Sequence, residues 1–182
     1  MAERDAMADI VIVGAGLVGL PLAQVLAAQG RQVVLLDAQE PASVTDAGES
    51  NDSAWHLRQR CTAVSLGTQR WFARHGFWSA LADDAAAIRQ VVVSHKGYFG
   101  TTRLQAAEMG VDALGHVLNN QNLVDSLQPL LAQSSVDHRT SSSVVAVRHH
   151  EDSVEVLLEG GGRVRARLLI AADGVGSVVR ES

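Results

Sequence analysis

The stretch DIVIVGAGLVGLPLAQVLAAQGRQVVLLDA, residues 9–38, decides the fold. DIVIVG is apolar and β-branched without polar alternation, the pattern of a strand buried on both faces of a parallel sheet. AGLVGLPLAQVLAAQG has helical composition and closes on Gly30, a C-cap-like glycine. Pro21 stands about one turn in, where the missing N–H is tolerated. QVVLLDA is a second buried strand. The three pieces predict a strand–helix–strand unit over 9–38 with a right-handed crossover.

Inside this unit lies GAGLVG, with Gly14, Gly16 and Gly19 between strand and helix. Each glycine has its own physical reason. Gly14 permits the tight turn, Gly16 lets the backbone approach a pyrophosphate, and Gly19 lets helix and strand pack closely. Amides at the helix N-terminus then face the phosphates. Asp37, eighteen residues beyond Gly19 at the end of the second strand, is placed to accept hydrogen bonds from an adenosine ribose. A carboxylate there repels a 2′-phosphate, so the nucleotide is FAD or NAD and not NADP. The pattern then departs from repeated β-α units, which favours a flavin fold of the glutathione-reductase type over an NAD dehydrogenase.

Outward from the unit, residues 39–57 are polar and acidic and read as a long loop. RCTAVSLGT is a short strand, and TQRWFARHGFWSALA a helix burying Trp71, Phe72 and Phe77. IRQVVVSHKG, YFGTTRLQAA and LGHVLNN are strands, and QNLVDSLQPLLAQ is a helix with Leu123, Leu127, Leu130 and Leu131 on one stripe. From Val136 the chain becomes three strands separated by ED and GGG, a β-meander over 136–173 whose last strand delivers Asp173 and Gly174. DGVGSVVR adds Ser177 and Arg180 at fixed offsets.

Composition sets the outer bounds. The 182 residues are 47% hydrophobic and 19% charged, enough for a sizeable core. A net charge of −5 gives no footprint for nucleic acid. The single cysteine, Cys61, excludes an internal disulfide framework and reads as a small buried hydrophobe. No apolar run is long enough to span a bilayer, which points to a cytoplasmic protein, with peripheral membrane contact compatible. The adjacent His149 and His150 would lie on opposite faces of a strand, and no metal-ligand spacing occurs.

An N-terminal GxGxxG, RCTAVSLGT after a loop, and LLIAADGVGSVVR after a meander together resemble the class A, FAD-dependent aromatic hydroxylases. The segment from VVVSHKGYFG to LGHVLNNQNL is similar to the ubiquinone-biosynthesis branch of that family. The resemblance implies an α/β, Rossmann-like FAD-binding fold of the glutathione-reductase type with an inserted antiparallel β-meander. It implies FAD as cofactor, NAD(P)H as reductant and a polyprenylated phenol as substrate. Gly14, Gly16, Gly19, Asp37, Arg60, Asp173 and Gly174 are the expected cofactor-binding residues, and strands within 88–118 would open a substrate domain. No side chain is assigned as acid or base. Two departures stand out. Asn119 occupies a position where the family commonly has Glu, and Arg58 one where Asp is usual.

The family's second FAD motif, Gly-Asp-Ala-Ala-His, has no match. Residues 1–182 therefore read as the N-terminal portion of an FAD-binding domain, incomplete at the C-terminus and expected to be inactive alone. Self-association through the face left uncovered, and contact with other ubiquinone-biosynthesis proteins, are the expected partners. The alternatives are a non-catalytic nucleotide-binding module and an NAD-dependent dehydrogenase.

Overall fold

The computed structural model describes residues 7–39 and 60–181. The loop expected over 39–57 lies, beyond Gln39, outside them, as does Arg58. Contacts divide the chain into two units, one formed by 1–49 with 127–182 and the other by 50–126.

The first unit is a six-stranded mixed sheet. Its strands are β1 (Ala8–Val13), β2 (Val33–Leu36), β8 (Asp137–Arg139), β9 (Val144–His149), β10 (Val154–Leu158) and β11 (Arg163–Ala171), in the order β8-β2-β1-β11-β10-β9. The first four run parallel, and β9 and β10 continue the sheet antiparallel from β11. β1 is central and apolar on both faces, with Val11 and Ile12 wholly buried, as its sequence without alternation demands. Val11, Val13, Val34 and Leu36 join Val154, Val156, Val164 and Ala166 in one core, so the parallel strands and the antiparallel extension share their packing.

Helix α1 (Gly19–Ala28) connects β1 to β2. Pro21 is its third residue, where no intrahelical N–H is lost. The helix ends in a Schellman arrangement: Gly30, at φ 80°, donates to Ala27 O at 2.9 Å and Arg31 to Leu26 O at 3.2 Å. Gln24 on α1, though polar, is buried because its amide donates to Leu127 O at 3.0 Å. The 136–173 segment is more than a meander. Residues 137–139 form β8 parallel to β2, and the antiparallel run begins at Val144. Glu155, buried on β10, stands directly between Arg148 and Arg165 in register and pairs with Arg148 at 3.5 Å.

The second unit holds β3 (Cys61–Ser65), α2 (Leu66–Arg74), β4 (Ala86–Ile88), β5 (Gln90–Ser94), β6 (Thr101–Gln105) and β7 (Gly115–Asn119). β3-β7-β4 is an antiparallel sheet and β5-β6 a separate hairpin. Ser65 caps α2, accepting from Thr68 N at 3.2 Å. The helix is shorter than its sequence suggested: it ends at Arg74, and Gly76 at φ 78° turns the chain into two 3₁₀ turns. Phe72 and Phe77 are buried, and Trp71 is half-buried beside them, with ring centroids 5.6 Å and 6.0 Å away. Cys61 is exposed, contrary to its buried reading. β3 is an edge strand, and its alternation puts Cys61, Ala63 and Ser65 on the open face. Helix α3 (Asn120–Ala132) runs from this unit into the first, burying Leu123, Leu127 and Leu131, with Leu130 half-buried. Asn119 caps it: its Oδ1 accepts from the amides of Gln121 at 2.9 Å and Asn122 at 3.2 Å. That gives the departure from Glu a physical role, since Asn is a strong N-cap.

Candidate nucleotide site

Because β2, β1 and β11 are parallel neighbours, their carboxyl ends open on one edge of the sheet. Open α/β sheets bind ligands at this edge. Three segments far apart in sequence meet there: Gly14–Gly19 after β1, Asp37 after β2, and Ala172–Gly174 after β11. The backbone welds them together. Gly14 N donates to Leu36 O at 2.7 Å, and Ala172 N donates to Val13 O at 2.8 Å.

The glycines divide by what surrounds them. Gly14 has φ 101°, and a Cβ there would collide with the carbonyl of Ala172 and the Cα of Asp173. A Cβ on Gly19 would collide with the carbonyl of Gly14 and stand 3.2 Å from the Cβ of Ala172. Both positions are glycine because backbone packs directly on backbone. Around Gly16 there is nothing within 4 Å of such a Cβ. That open space is what a phosphate approaching the main chain requires. Val18, the N-cap of α1, supplies no side-chain hydrogen bond, and the first turn carries no acidic residue. The positive end of the helix is thus left for an anionic ligand.

Asp37 is fixed at both carboxylate oxygens. Oδ2 accepts from Ala15 N at 2.6 Å, inside the glycine turn, and Oδ1 accepts from Gln39 N at 2.8 Å. Its own amide donates to Arg139 O at 2.9 Å, and its carbonyl accepts from Ser142 N at 2.7 Å. A carboxylate has about four acceptor sites, so two are engaged in orienting the side chain and the others remain for hydroxyls. Asp173 is half-buried and Gly174, at φ 82°, is exposed. Arg180 does not reach towards this edge as a free cation. Its Nη2 donates to Val175 O at 2.9 Å and its amide to buried Ser177 Oγ at 3.1 Å, which ties off the turn after Asp173. Arg60 belongs to the second unit, exposed just before β3, with its carbonyl accepting from Asn120 N at 2.9 Å.

Two participants were not singled out in the sequence. Ala172 supplies the carbonyl and small side chain against which the glycine turn is packed; the signal was the Ala171-Ala172 pair before Asp173. His138 stands on β8 opposite Leu35, hence on the same sheet face as Asp37 two residues on. Its Nε2 is buried and has no hydrogen-bond partner among the described residues. Burial pulls this imidazole below its usual value, against the opposing pull of Asp37 and Asp137. Below about pH 6.5 the unfolded chain takes up a proton that the folded chain refuses. Stability is therefore expected to fall as pH drops from about 6.5 towards the lowered folded value. Denaturation midpoints across that window check this, and His138→Gln should flatten the slope. An unchanged slope in the variant would remove His138 as its source.

The parallel core, the glycine turn and the acidic residue after β2 define a dinucleotide-binding fold, and the antiparallel β9-β10-β11 extension sets it in the flavoprotein class. The chain belongs to the FAD-binding domain family, whose model ("FAD binding domain") matches residues 7–182. It is 33% identical to the ubiquinone hydroxylase UbiL of Rhodospirillum rubrum over 99% of this chain and 40% of that protein. It is 30% identical to the 3-demethoxyubiquinol 3-hydroxylase of Escherichia coli over 95% of this chain and 43% of that protein. The chain thus spans about two fifths of these relatives' length. Among solved structures, OxyS anhydrotetracycline hydroxylase from Streptomyces rimosus superposes with a TM-score of 0.75 at 21% identity, covering 96% of this chain and 33% of that one. The likeness to OxyS is one of fold.

Proposed function

We propose that this chain forms the adenine-nucleotide half of the FAD site in a flavin-dependent monooxygenase that hydroxylates a polyprenylated phenol of ubiquinone biosynthesis. The observation that carries the reading is the convergence of the Gly14–Gly19 turn, Asp37 and the Ala172–Gly174 turn on one sheet edge. The similarity to two ubiquinone-pathway hydroxylases over nearly the whole chain supports the substrate class.

In this reading the amides around Gly16 and the start of α1 hold the pyrophosphate. Asp37 accepts from the ribose hydroxyls. Asp173 and Gly174 would lie against the flavin. Bound FAD supplies the redox chemistry, with NAD(P)H as electron source and O₂ as oxygen source. The chain's own work is binding, orientation and shielding from water. The 88–118 strands form the start of the substrate domain, which their membership of a separate compact unit supports.

The experiment is an absorbance spectrum of the purified protein after incubation with FAD and gel filtration, followed by NAD(P)H oxidation with and without a polyprenylated phenol. Retained flavin, and oxidation stimulated by the phenol in a protein that also carries the relatives' remaining length, are the expected results. No retained flavin in that longer protein would end the reading.

A further inference from the structure

Among the described residues no helix is long and apolar enough to cross a membrane. The β5-β6 hairpin nevertheless carries a surface of a particular kind. Its turn, SHKGYFG, exposes Tyr98 to 75% and Phe99 completely. Trp71, Phe72, Phe77 and Trp78 are all buried or half-buried, so among the described residues the exposed aromatics are those of this turn.

The exposure belongs to a formed structure. The two strands pair without a register break from Gln90 opposite Gln105 to Ser94 opposite Thr101. Tyr98 N donates to His95 O at 3.1 Å, and the Tyr98 ring stands edge-on to the His95 ring, centroids 4.6 Å apart. Behind the tip, Val93 and Leu104 lie on one face and are 56% and 44% exposed. Val92, 51% exposed, stands opposite Arg103 on the other face, and the hairpin's charge is all of one sign. Arg89, Lys96 and Arg103 fall within residues 89–107, a stretch without one Asp or Glu, in a protein whose net charge is −5.

Aromatic side chains aimed outward with cations just behind them match a lipid–water interface. The rings enter the acyl boundary, and the cations meet anionic headgroups. We propose that the β5-β6 hairpin tip, Tyr98 and Phe99 backed by Lys96 and Arg103, is an interfacial anchor that docks the protein on an anionic lipid bilayer. The inference deepens the hydroxylase reading, whose polyprenylated substrate partitions into bilayers, but its test needs no turnover.

The test is co-flotation of the protein with vesicles of phosphatidylglycerol and phosphatidylethanolamine, against phosphatidylcholine alone. The parent protein should float with the anionic vesicles, and less so at high salt. Tyr98→Ser with Phe99→Ser should lower the partition about tenfold or more. Lys96→Glu with Arg103→Glu should lower it and remove most of the salt dependence. As a second readout, Phe99→Trp should be quenched by brominated lipid. A parent that does not float, a serine variant that floats as well as the parent, or an unquenched Trp overturns the proposal. So does a serine variant whose only change is lost self-association on gel filtration, which would make the tip a protein interface. Failure of the hydroxylase reading shows separately, as an absence of phenol-stimulated NAD(P)H oxidation.

Discussion

Gly19→Val is expected to unfold the nucleotide unit, whereas Gly16→Ala is expected to leave it folded and empty of flavin. The two glycines look alike in GAGLVG, and the structure separates them. At Gly19 any Cβ meets the carbonyl of Gly14, a backbone atom that no rotamer change can move. Relief requires α1 to lift from β1, and α1 buries Leu20, Ala23 and Ala27. Overpacking of this kind costs about 1–3 kcal/mol where side chains can yield, and more where backbone meets backbone. Gly14→Ala combines such a collision with a φ of 101°, adding about 1–3 kcal/mol of conformational strain. A loss of that size is a large share of the roughly 5–15 kcal/mol that holds a domain together. At Gly16 the added methyl meets no protein atom, and its cost falls on the ligand. Urea midpoints and flavin retention, measured on all three variants, separate the two effects. A Gly16→Ala protein that retains flavin normally would show that the pyrophosphate does not lie over that residue.

This contrast also marks how far the sequence could be read. The strand–helix–strand unit was legible because three signals agree: unbroken apolar strands, a glycine turn between them, and Gly30 after the last helical residue. The Schellman bonds of Gly30 and Arg31 are the physical content of that last signal. That β11 takes β1 as its neighbour is not named by any local pattern, although the change of partner along it leaves one. A meander strand and a parallel-sheet strand differ in their neighbours, and neighbours are a long-range property. β11 is both: Arg163–Ala166 pair with β10 and Ala166–Ala171 with β1. Residues 163–167 alternate polar and apolar, while 168–172 are continuously apolar, so the change of partner is encoded as a change of period.

Other parts of the reading failed for equally physical reasons. Cys61 was taken as buried from residue type alone, yet β3 alternates between an exposed and a half-buried face and type does not say which face a residue takes. The helix after β3 was extended through Gly76 because aromatic residues continue beyond it. Those aromatics do pack together, but across a left-handed turn and not along one helix. Arg180 had only an offset from Asp173 in the sequence, with no role; its guanidinium donates to the Val175 carbonyl. Together with the bond from the Arg180 amide to Ser177 Oγ, this contact fixes the shape of the turn after Asp173.

Asp37→Ala is expected to weaken FAD binding by about 10–100-fold, the loss that follows from removing charge-assisted hydrogen bonds. The carboxylate acts twice. Towards the protein it accepts from Ala15 N at 2.6 Å, which locks the amide just before Gly16 into the turn. Towards the ligand, in the proposed reading, its remaining acceptor sites take ribose hydroxyls. Asp37→Asn separates these roles. The amide oxygen can still accept from Ala15 N, so the turn and the urea midpoint should survive. The amide nitrogen then faces Gln39 N, a donor against a donor, and the ribose side loses its charge. The Asn variant is therefore expected to bind FAD more weakly than the parent at nearly unchanged stability, and the Ala variant to lose both. Fluorescence titration with FAD beside urea denaturation reads the two quantities independently. Equal affinity in parent and Asn variant would assign Asp37 to the turn alone and leave ribose recognition to another residue.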